Sequence, residues 1–148
     1  MAEHAHETWD SGSPYERYVG RWSRSVARAF LDWLALPSGQ TWGDVGCGTG
    51  ALVEGILSLA EPASVLAIDR SEALLAEAQR TITDPRVRFE LADATALPWA
   101  RAACDVAVSG LVLNFVPVPL AMVREMVRVT RPKEKLQPMY GITPAVCR

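Results

Sequence analysis

Three glycines at alternate positions follow an acidic residue in the stretch DVGCGTG, residues 44–50. Glycine lets a backbone turn tightly and come close to a ligand, and a helix that begins behind such a loop presents free N–H groups. A phosphate loop needs Lys and then Ser or Thr after its last glycine, whereas Ala51 and Leu52 follow here. Gly46, Gly48 and Ala51 do fit the dinucleotide fingerprint, so the glycines alone leave NAD as an alternative.

Two acidic positions favour a different ligand. Asp44 lies two residues before the first glycine, where its charge would repel a pyrophosphate but attract a ligand with a positive centre and an amino group. Asp93 and Ala94 offer a carboxylate that can accept from an exocyclic amine and an N–H that can donate to a ring nitrogen. That pattern suits adenine, and Asp69 lies at about the right distance from the glycines to hold a ribose.

The elements that must position these residues alternate between strand and helix. Apolar runs predict strands at 41–45, 64–68, 87–91 and 104–109, whereas spacings of three and four predict helices at 14–34, 51–60, 72–82 and 119–130. Ser71 is the predicted N-cap of the third helix. This alternation predicts an α/β fold with an open parallel sheet, and the ligand should lie at the carboxyl ends of the strands.

Four blocks of the sequence, taken together, resemble the class I S-adenosylmethionine-dependent methyltransferases of the small-molecule type. They are TWGDVGCGTG, SVLAIDRS, ELADATALPW and DVAVSGLVLNFV, within a stretch from Tyr15 to about Pro132. The resemblance implies a Rossmann-like sheet of strand order 3-2-1-4 with helices on both faces. It also implies S-adenosyl-L-methionine as the cofactor and a small molecule as the methyl acceptor.

The resemblance further implies nine cofactor-binding residues, which lie at or just beyond the ends of the predicted strands: Asp44, Gly46, Gly48, Gly50, Asp69, Arg70, Asp93, Ala94 and Ser109. The first three would border the methionine end, and Gly50 would open the following helix. Asp69 would hold the ribose hydroxyls with Arg70 beside the adenine, whereas residues 93–94 would read the adenine edge and Ser109 would line the methionine side. No catalytic residue is assigned, because aligning the acceptor with the methyl group supplies most of the catalysis in such a displacement.

Other side chains near this site have competing interpretations. The helix YERYVGRW resembles the family's lid, so Tyr15, Tyr18 and Trp22 would close over the site, yet three aromatic residues also suit an ordinary amphipathic helix. Cys47 is interpreted as a small loop filler, because no His after residue 6 could act as its base. Asn114 could hydrogen-bond a methyl acceptor or cap the segment after the fourth strand, and the capping role is the one we predict.

Two departures from the family stand out. Gly43 lies in the first strand where relatives carry a bulky apolar residue, which predicts a loosened core.

Residues 133–148 read KEKLQPMYGITPAVCR, which indicates an irregular tail, with an out-of-frame segment as one hypothesis, and so a sheet that is incomplete relative to the family's seven strands. We therefore expect a tail at 1–13, a cofactor domain at 14–132 and a fourth strand whose exposed edge invites self-association. An inactive truncated remnant is the alternative function, and an NAD-binding module is a weaker one.

The composition of the chain argues against several other classes of protein. A chain of 148 residues is the size of one domain, and its formal net charge of −2 gives no electrostatic footprint for nucleic acid. Its three cysteines lack the spacing of a zinc site or the even count of a disulfide framework, which predicts reduced thiols and a cytoplasmic location. The apolar run at 102–123 contains Asp105 and two prolines, which argues against a membrane span. We predict no metal site, because His4 and His6 stand alone in a polar tail.

Overall fold

Strands and helices alternate through residues 21–132 and 145–147, which are the residues that the computed structural model describes. The elements in chain order are α1 (Arg21–Leu34), β1 (Thr41–Val45), α2 (Ala51–Leu59), β2 (Ser64–Asp69), α3 (Glu72–Thr81), β3 (Val87–Leu91), β4 (Val106–Ser109), a 3₁₀ helix (Leu113–Phe115), α4 (Pro119–Val129) and β5 (Ala145–Cys147).

The strands form one sheet of order β3-β2-β1-β4-β5. The first four strands are parallel, and β1 lies between β2 and β4, with Gly43 opposite Leu66 on one side and Ala107 on the other. This arrangement confirms the predicted Rossmann-like fold and its 3-2-1-4 order. Because the carboxyl ends of parallel strands meet at one edge, the loops after β1, β2, β3 and β4 are neighbours.

The last strand departs from the sequence-based expectation. β5 pairs with β4 in antiparallel register, with Ala145 opposite Ser109 and Cys147 opposite Ala107. The expectation of an irregular segment is therefore wrong for residues 145–147, and the edge of β4 is covered there rather than exposed.

The core lies on both faces of the sheet. On one face α1 and α2 bury Phe30, Trp42 and Ile56, and on the other α4 buries Met122 and Met126 against the sheet. These two clusters confirm the prediction of helices on both faces. None of the helices described here is long and apolar enough to cross a membrane.

Gly43 in β1 is covered by an indole ring. A Cβ placed on Gly43 would lie 2.8 Å from Cζ3 of Trp99 and 3.3 Å from Sγ of Cys104. Trp99 is only 6% exposed, so its ring fills the space that a larger residue on the strand would occupy. The expectation of a loosened core at Gly43 is therefore wrong.

Helix boundaries follow the local signals with a few exceptions. The hydroxyl of Ser71 accepts from the N–H of Leu74 at 3.3 Å, which confirms the predicted N-cap of α3. Asn114 lies inside the 3₁₀ helix, whose N-cap is Val112, so its predicted capping role is wrong. The described part of the first predicted helix is α1, and Tyr15 and Tyr18 lie outside the described residues.

Candidate functional site

The glycine loop between β1 and α2 is anchored to the neighbouring strand. The N–H groups of Gly46 and Cys47 both donate to the carbonyl of Ile68, each at 2.8 Å. The N–H of Gly48 donates to Oδ2 of Asp69 at 2.9 Å. Three consecutive N–H groups are thus fixed by the end of β2, which gives the loop one defined conformation.

Each of the three predicted glycines adopts a backbone conformation that L side chains rarely adopt, with φ of 79° at Gly46, 55° at Gly48 and 94° at Gly50. Space is also missing at two of them. A Cβ on Gly46 would lie 2.6 Å from a methyl carbon of Val112, and one on Gly50 would lie 2.4 Å from Cδ1 of Ile82. Gly50 is the N-cap of α2 and supplies no side-chain hydrogen bond to the helix.

Asp44 is a buried carboxyl group that has no hydrogen-bond partner among the described residues. Its side chain is 1% exposed, and neither carboxylate oxygen is bonded. Burial raises the pKa of Asp44 to about 8, and the charge of Asp69 adds to the rise. A buried polar group without a partner is destabilising, and the two oxygens of Asp44 have the capacity to accept hydrogen bonds from a ligand.

The cavity beside Asp44 lies between the glycine loop and α1. Its walls come from α1, from the glycine loop with the start of α2, and from the two residues after β4: Ser23, Val26, Ala27, Phe30, Asp44, Gly46, Cys47, Thr49, Ala51, Leu52, Gly110 and Leu111. Ser109 itself does not line this cavity. Its buried hydroxyl donates to the carbonyl of Val45 at 2.7 Å and joins β4 to β1.

Asp69 at the end of β2 uses both carboxylate oxygens within the protein. Besides the bond from Gly48, its Oδ1 accepts from the N–H of Ser71 at 2.8 Å. The residue therefore fixes both the glycine loop and the start of α3. Sequence reasoning assigned Asp69 to a ligand and missed this second role, which a pattern of residue types does not reveal.

The loop after β3 lies directly beside Asp69. The N–H of Ala92 donates to the carbonyl of Asp69 at 3.1 Å, which places Asp93 and Ala94 next to the end of β2. Oδ1 of Asp93 accepts from the N–H of Thr95 at 2.7 Å and from its hydroxyl at 2.6 Å. Those bonds from Thr95, followed by the charge of Arg70, hold the pKa of Asp93 below its usual range. Asp93 is therefore an ionised acceptor whose Oδ2 accepts no hydrogen bond from the described residues.

Sequence reasoning missed the wall of the cavity opposite the glycine loop. Val26 and Phe30 lie one helical turn apart on α1 and line the cavity. Their spacing predicts an apolar face of this helix but does not show that the face borders a cavity. Leu111 has a φ of 59°, an unusual value for a branched side chain, and no residue-type signal marks it. Trp22 is 71% exposed and does not line the cavity, so the structure does not place it over the site.

Cys47 lies within the site as a buried thiol. Its side chain is buried and lines the cavity. Burial raises its pKa well above the usual range, and the neighbouring charges of Asp44 and then Asp69 act in the same direction. Among residues 21–132 and 145–147, no group of three or more His, Cys, Asp or Glu side chains could hold a metal ion.

Comparison with known families assigns most of the chain. The family model of the methyltransferase domain matches residues 43–136. A ubiquinone/menaquinone biosynthesis C-methyltransferase of Dinoroseobacter shibae is 34% identical over 113 residues, which cover 73% of this chain and 45% of that protein. A trans-aconitate 2-methyltransferase of Variovorax paradoxus is 33% identical over 103 residues, which cover 70% of this chain and 39% of that protein. The chain therefore spans less than half the length of either relative.

Solved structures share the fold. A SAM-dependent methyltransferase from Aquifex aeolicus superposes with a TM-score of 0.69 at 18% identity, and the match covers 86% of this chain and 78% of that one. At this identity the likeness concerns the fold alone. The strand order and the helices on both faces of the sheet are thus those of the methyltransferase fold.

Proposed function

The chain belongs to the class I S-adenosylmethionine-dependent methyltransferases, and we propose that it transfers the methyl group of this cofactor to a small-molecule acceptor. Members of this family use S-adenosyl-L-methionine. The observation that carries the proposal is the buried Asp44, whose two oxygens have no partner among the described residues and which borders a cavity at the glycine loop. A ligand with a positively charged amino group supplies the missing partner.

At the methionine end, the site offers Asp44 and bare backbone. The carboxylate would pair with the cofactor's ammonium group, and the glycines of the loop, which adopt positive φ without strain, let the chain come close to it. Gly46 and Gly48 would border this end, and Gly50 would open α2 beside it. Ser109 contributes indirectly through its bond to Val45, which holds β4 against the strand that carries Asp44.

At the adenosine end, we assign Asp69, Arg70 and residues 93–94. A carboxylate has about four lone-pair sites, so Asp69 keeps acceptor capacity for ribose hydroxyls beside its two backbone bonds. Oδ2 of Asp93 would accept from the exocyclic amine of adenine, and the N–H of Ala94 would donate to a ring nitrogen. Arg70 is exposed next to Asp93 and would flank the ring.

The bound cofactor supplies a methyl group on a sulfonium sulfur, and that sulfur leaves as a neutral thioether. The chain's own contribution is alignment, because holding acceptor and methyl in line removes much of the entropic barrier. Both relatives named above carry small-molecule names, which supports an acceptor of that class. The apolar wall of Val26, Phe30 and Leu111 would exclude water from the site.

Calorimetric titration with S-adenosylhomocysteine tests the proposal. We expect binding by the unmodified chain and a loss of roughly 10- to 100-fold in Asp69→Ala, because hydrogen bonds to a charged group contribute about 1.5–3 kcal/mol each. Asp32→Ala, which removes an exposed carboxylate on α1, is the matched control and should bind normally.

Two outcomes would contradict the proposed function. One is a cooperatively folded chain that binds no S-adenosylhomocysteine at millimolar concentration. The other is displacement of bound S-adenosylhomocysteine by NADH at comparable concentration, which would return the site to the dinucleotide alternative.

A further inference from the structure

Glu125 and Arg128 of α4 form an ion pair that holds the loop after β3, and we call this pair the α4 clamp. Nε of Arg128 lies 2.7 Å from Oε1 of Glu125, and its Nη2 lies 2.7 Å from Oε2. Oε2 of Glu125 also accepts from the N–H of Leu97 at 2.8 Å. Arg128 donates to the carbonyls of Leu97 at 3.0 Å and Trp99 at 2.8 Å. The clamp thus binds the loop through one N–H and two carbonyl groups.

The clamp differs from an ordinary surface ion pair. The side chain of Arg128 is only 28% exposed and that of Glu125 only 20%. The guanidinium contacts the carboxylate through two parallel hydrogen bonds. Such bidentate geometry fixes orientation as well as distance. The bond from Arg128 lowers the pKa of Glu125, so the pair stays charged at neutral pH.

The loop held by the clamp is the one that carries Asp93. Its first half is fixed locally, because the N–H of Ala96 donates to the carbonyl of Asp93 at 3.1 Å and Thr95 bonds the Asp93 side chain. Among the described residues, backbone hydrogen bonds join its second half, residues 97–99, to the rest of the protein only through the clamp. The position of Asp93 therefore depends on α4 as well as on the end of β2.

We propose that Glu125 and Arg128 are positioning residues that set the preference for adenine over other purines, through the placement of Asp93. This inference rests on the proposed function, since it takes Asp93 as the acceptor for the exocyclic amine. Hypoxanthine has a carbonyl oxygen where adenine has that amine, and an ionised carboxylate held at hydrogen-bond distance repels it. If the loop moves, Asp93 loses both the attraction to one base and the repulsion of the other.

The ratio of two dissociation constants tests this proposal. S-adenosylhomocysteine and S-inosylhomocysteine are titrated into the unmodified chain, Arg128→Met and Glu125→Gln. If Glu125 and Arg128 only stabilise the fold, the ratio of dissociation constants stays unchanged, because partial unfolding weakens the binding of both ligands equally. We expect the unmodified chain to prefer S-adenosylhomocysteine, and the preference to fall about tenfold in Arg128→Met, as for one lost charged hydrogen bond.

Arg131→Met is the matched control. Arg131 also donates to a backbone carbonyl, that of Ala102 at 3.1 Å, and to a carboxylate, that of Asp105 at 2.8 Å, but these two residues lie next to β4 at the far end of the β3–β4 connection, beyond residues 92–99. This variant should keep the unmodified ratio even where it lowers the melting temperature.

An unchanged ratio in both Arg128→Met and Glu125→Gln would overturn the inference while leaving the proposed function intact, as would an equal loss of preference in Arg131→Met. Failure of the unmodified chain to bind S-adenosylhomocysteine would overturn both.

Discussion

Replacing Asp44 by Asn should remove the pH dependence that this carboxyl group imposes on folding. In the folded chain Asp44 is buried, without a hydrogen-bond partner among the described residues, and its pKa is raised from 3.8 to about 8 by burial and then by Asp69. In the unfolded chain the group titrates near its ordinary value. The folded state therefore holds one more proton than the unfolded state between about pH 4 and pH 8, and stability must fall as pH rises through that window.

The magnitude follows from the linkage relation. One extra bound proton changes the free energy of unfolding by about 1.4 kcal/mol per pH unit. Between pH 5 and pH 8 the unmodified chain should lose about 4 kcal/mol relative to Asp44→Asn, whose neutral amide does not titrate. The variant keeps the size of the side chain, so packing contributes little to the difference.

Urea unfolding at pH 5, 6, 7 and 8 measures this difference directly. Asp84→Asn serves as a control of opposite sign, because the hydrogen bond from Arg86 lowers the pKa of Asp84 to about 2. The contribution of Asp84 is lost only as pH falls below about 4, so this control should run parallel to the unmodified chain from pH 5 to pH 8. A difference between the unmodified chain and Asp44→Asn that stays constant with pH would refute the argument, since it would mean that the buried carboxyl group is already ionised.

Three further predictions follow from local geometry. Gly43→Ala should lower the free energy of unfolding by about 1–3 kcal/mol, because its Cβ meets the ring of Trp99. In a Trp99→Leu background the cost should shrink to what the contact with Cys104 leaves, and an equal cost there would contradict the contact with Trp99. Gly50→Ala should cost at least about 1 kcal/mol in urea unfolding, because φ is 94° and Cδ1 of Ile82 fills the space; an unchanged midpoint would contradict this. Burial raises the pKa of Cys47, so iodoacetamide should label it far more slowly in native protein than in urea, as read by peptide mass mapping; equal rates would contradict it.

The parallel sheet could be predicted from the sequence because its signals are local. Short apolar runs separated by helical periodicity leave few topologies once crossovers are right-handed, and the signals at Gly50 and Ser71 set where helices begin. The same logic placed Asp44, Asp69 and Asp93 at a common edge before any contact was known. Proximity of strand ends is a property of the fold, so it needs no knowledge of side-chain packing.

Contacts between distant segments could not be predicted in this way. The filling of the space above Gly43 by Trp99 joins residues that are far apart in sequence, and nothing in either residue type specifies the other. The spacing of Glu125 and Arg128 is typical of a helical ion pair and does not reveal their contacts with Leu97 and Trp99, because those contacts join segments that are distant in sequence. β5 was missed for a related reason: three residues carry no periodicity, and an edge strand is specified by its partner.

The charges of the site decide between its alternative ligands. Asp44 and Asp69 lie close enough that the charge of Asp69 raises the pKa of Asp44, so the pocket is a poor host for a second negative group. A pyrophosphate would add negative charge beside two carboxyl groups that already repel each other. In the proposed complex, the ammonium group of the cofactor would replace the proton that Asp44 holds in the free protein, and the neutral ribose and adenine would meet Asp69 and Asp93 without electrostatic cost. The arrangement that makes Asp44 costly in the free protein is therefore the one that we propose selects a ligand positive at its amino-acid end.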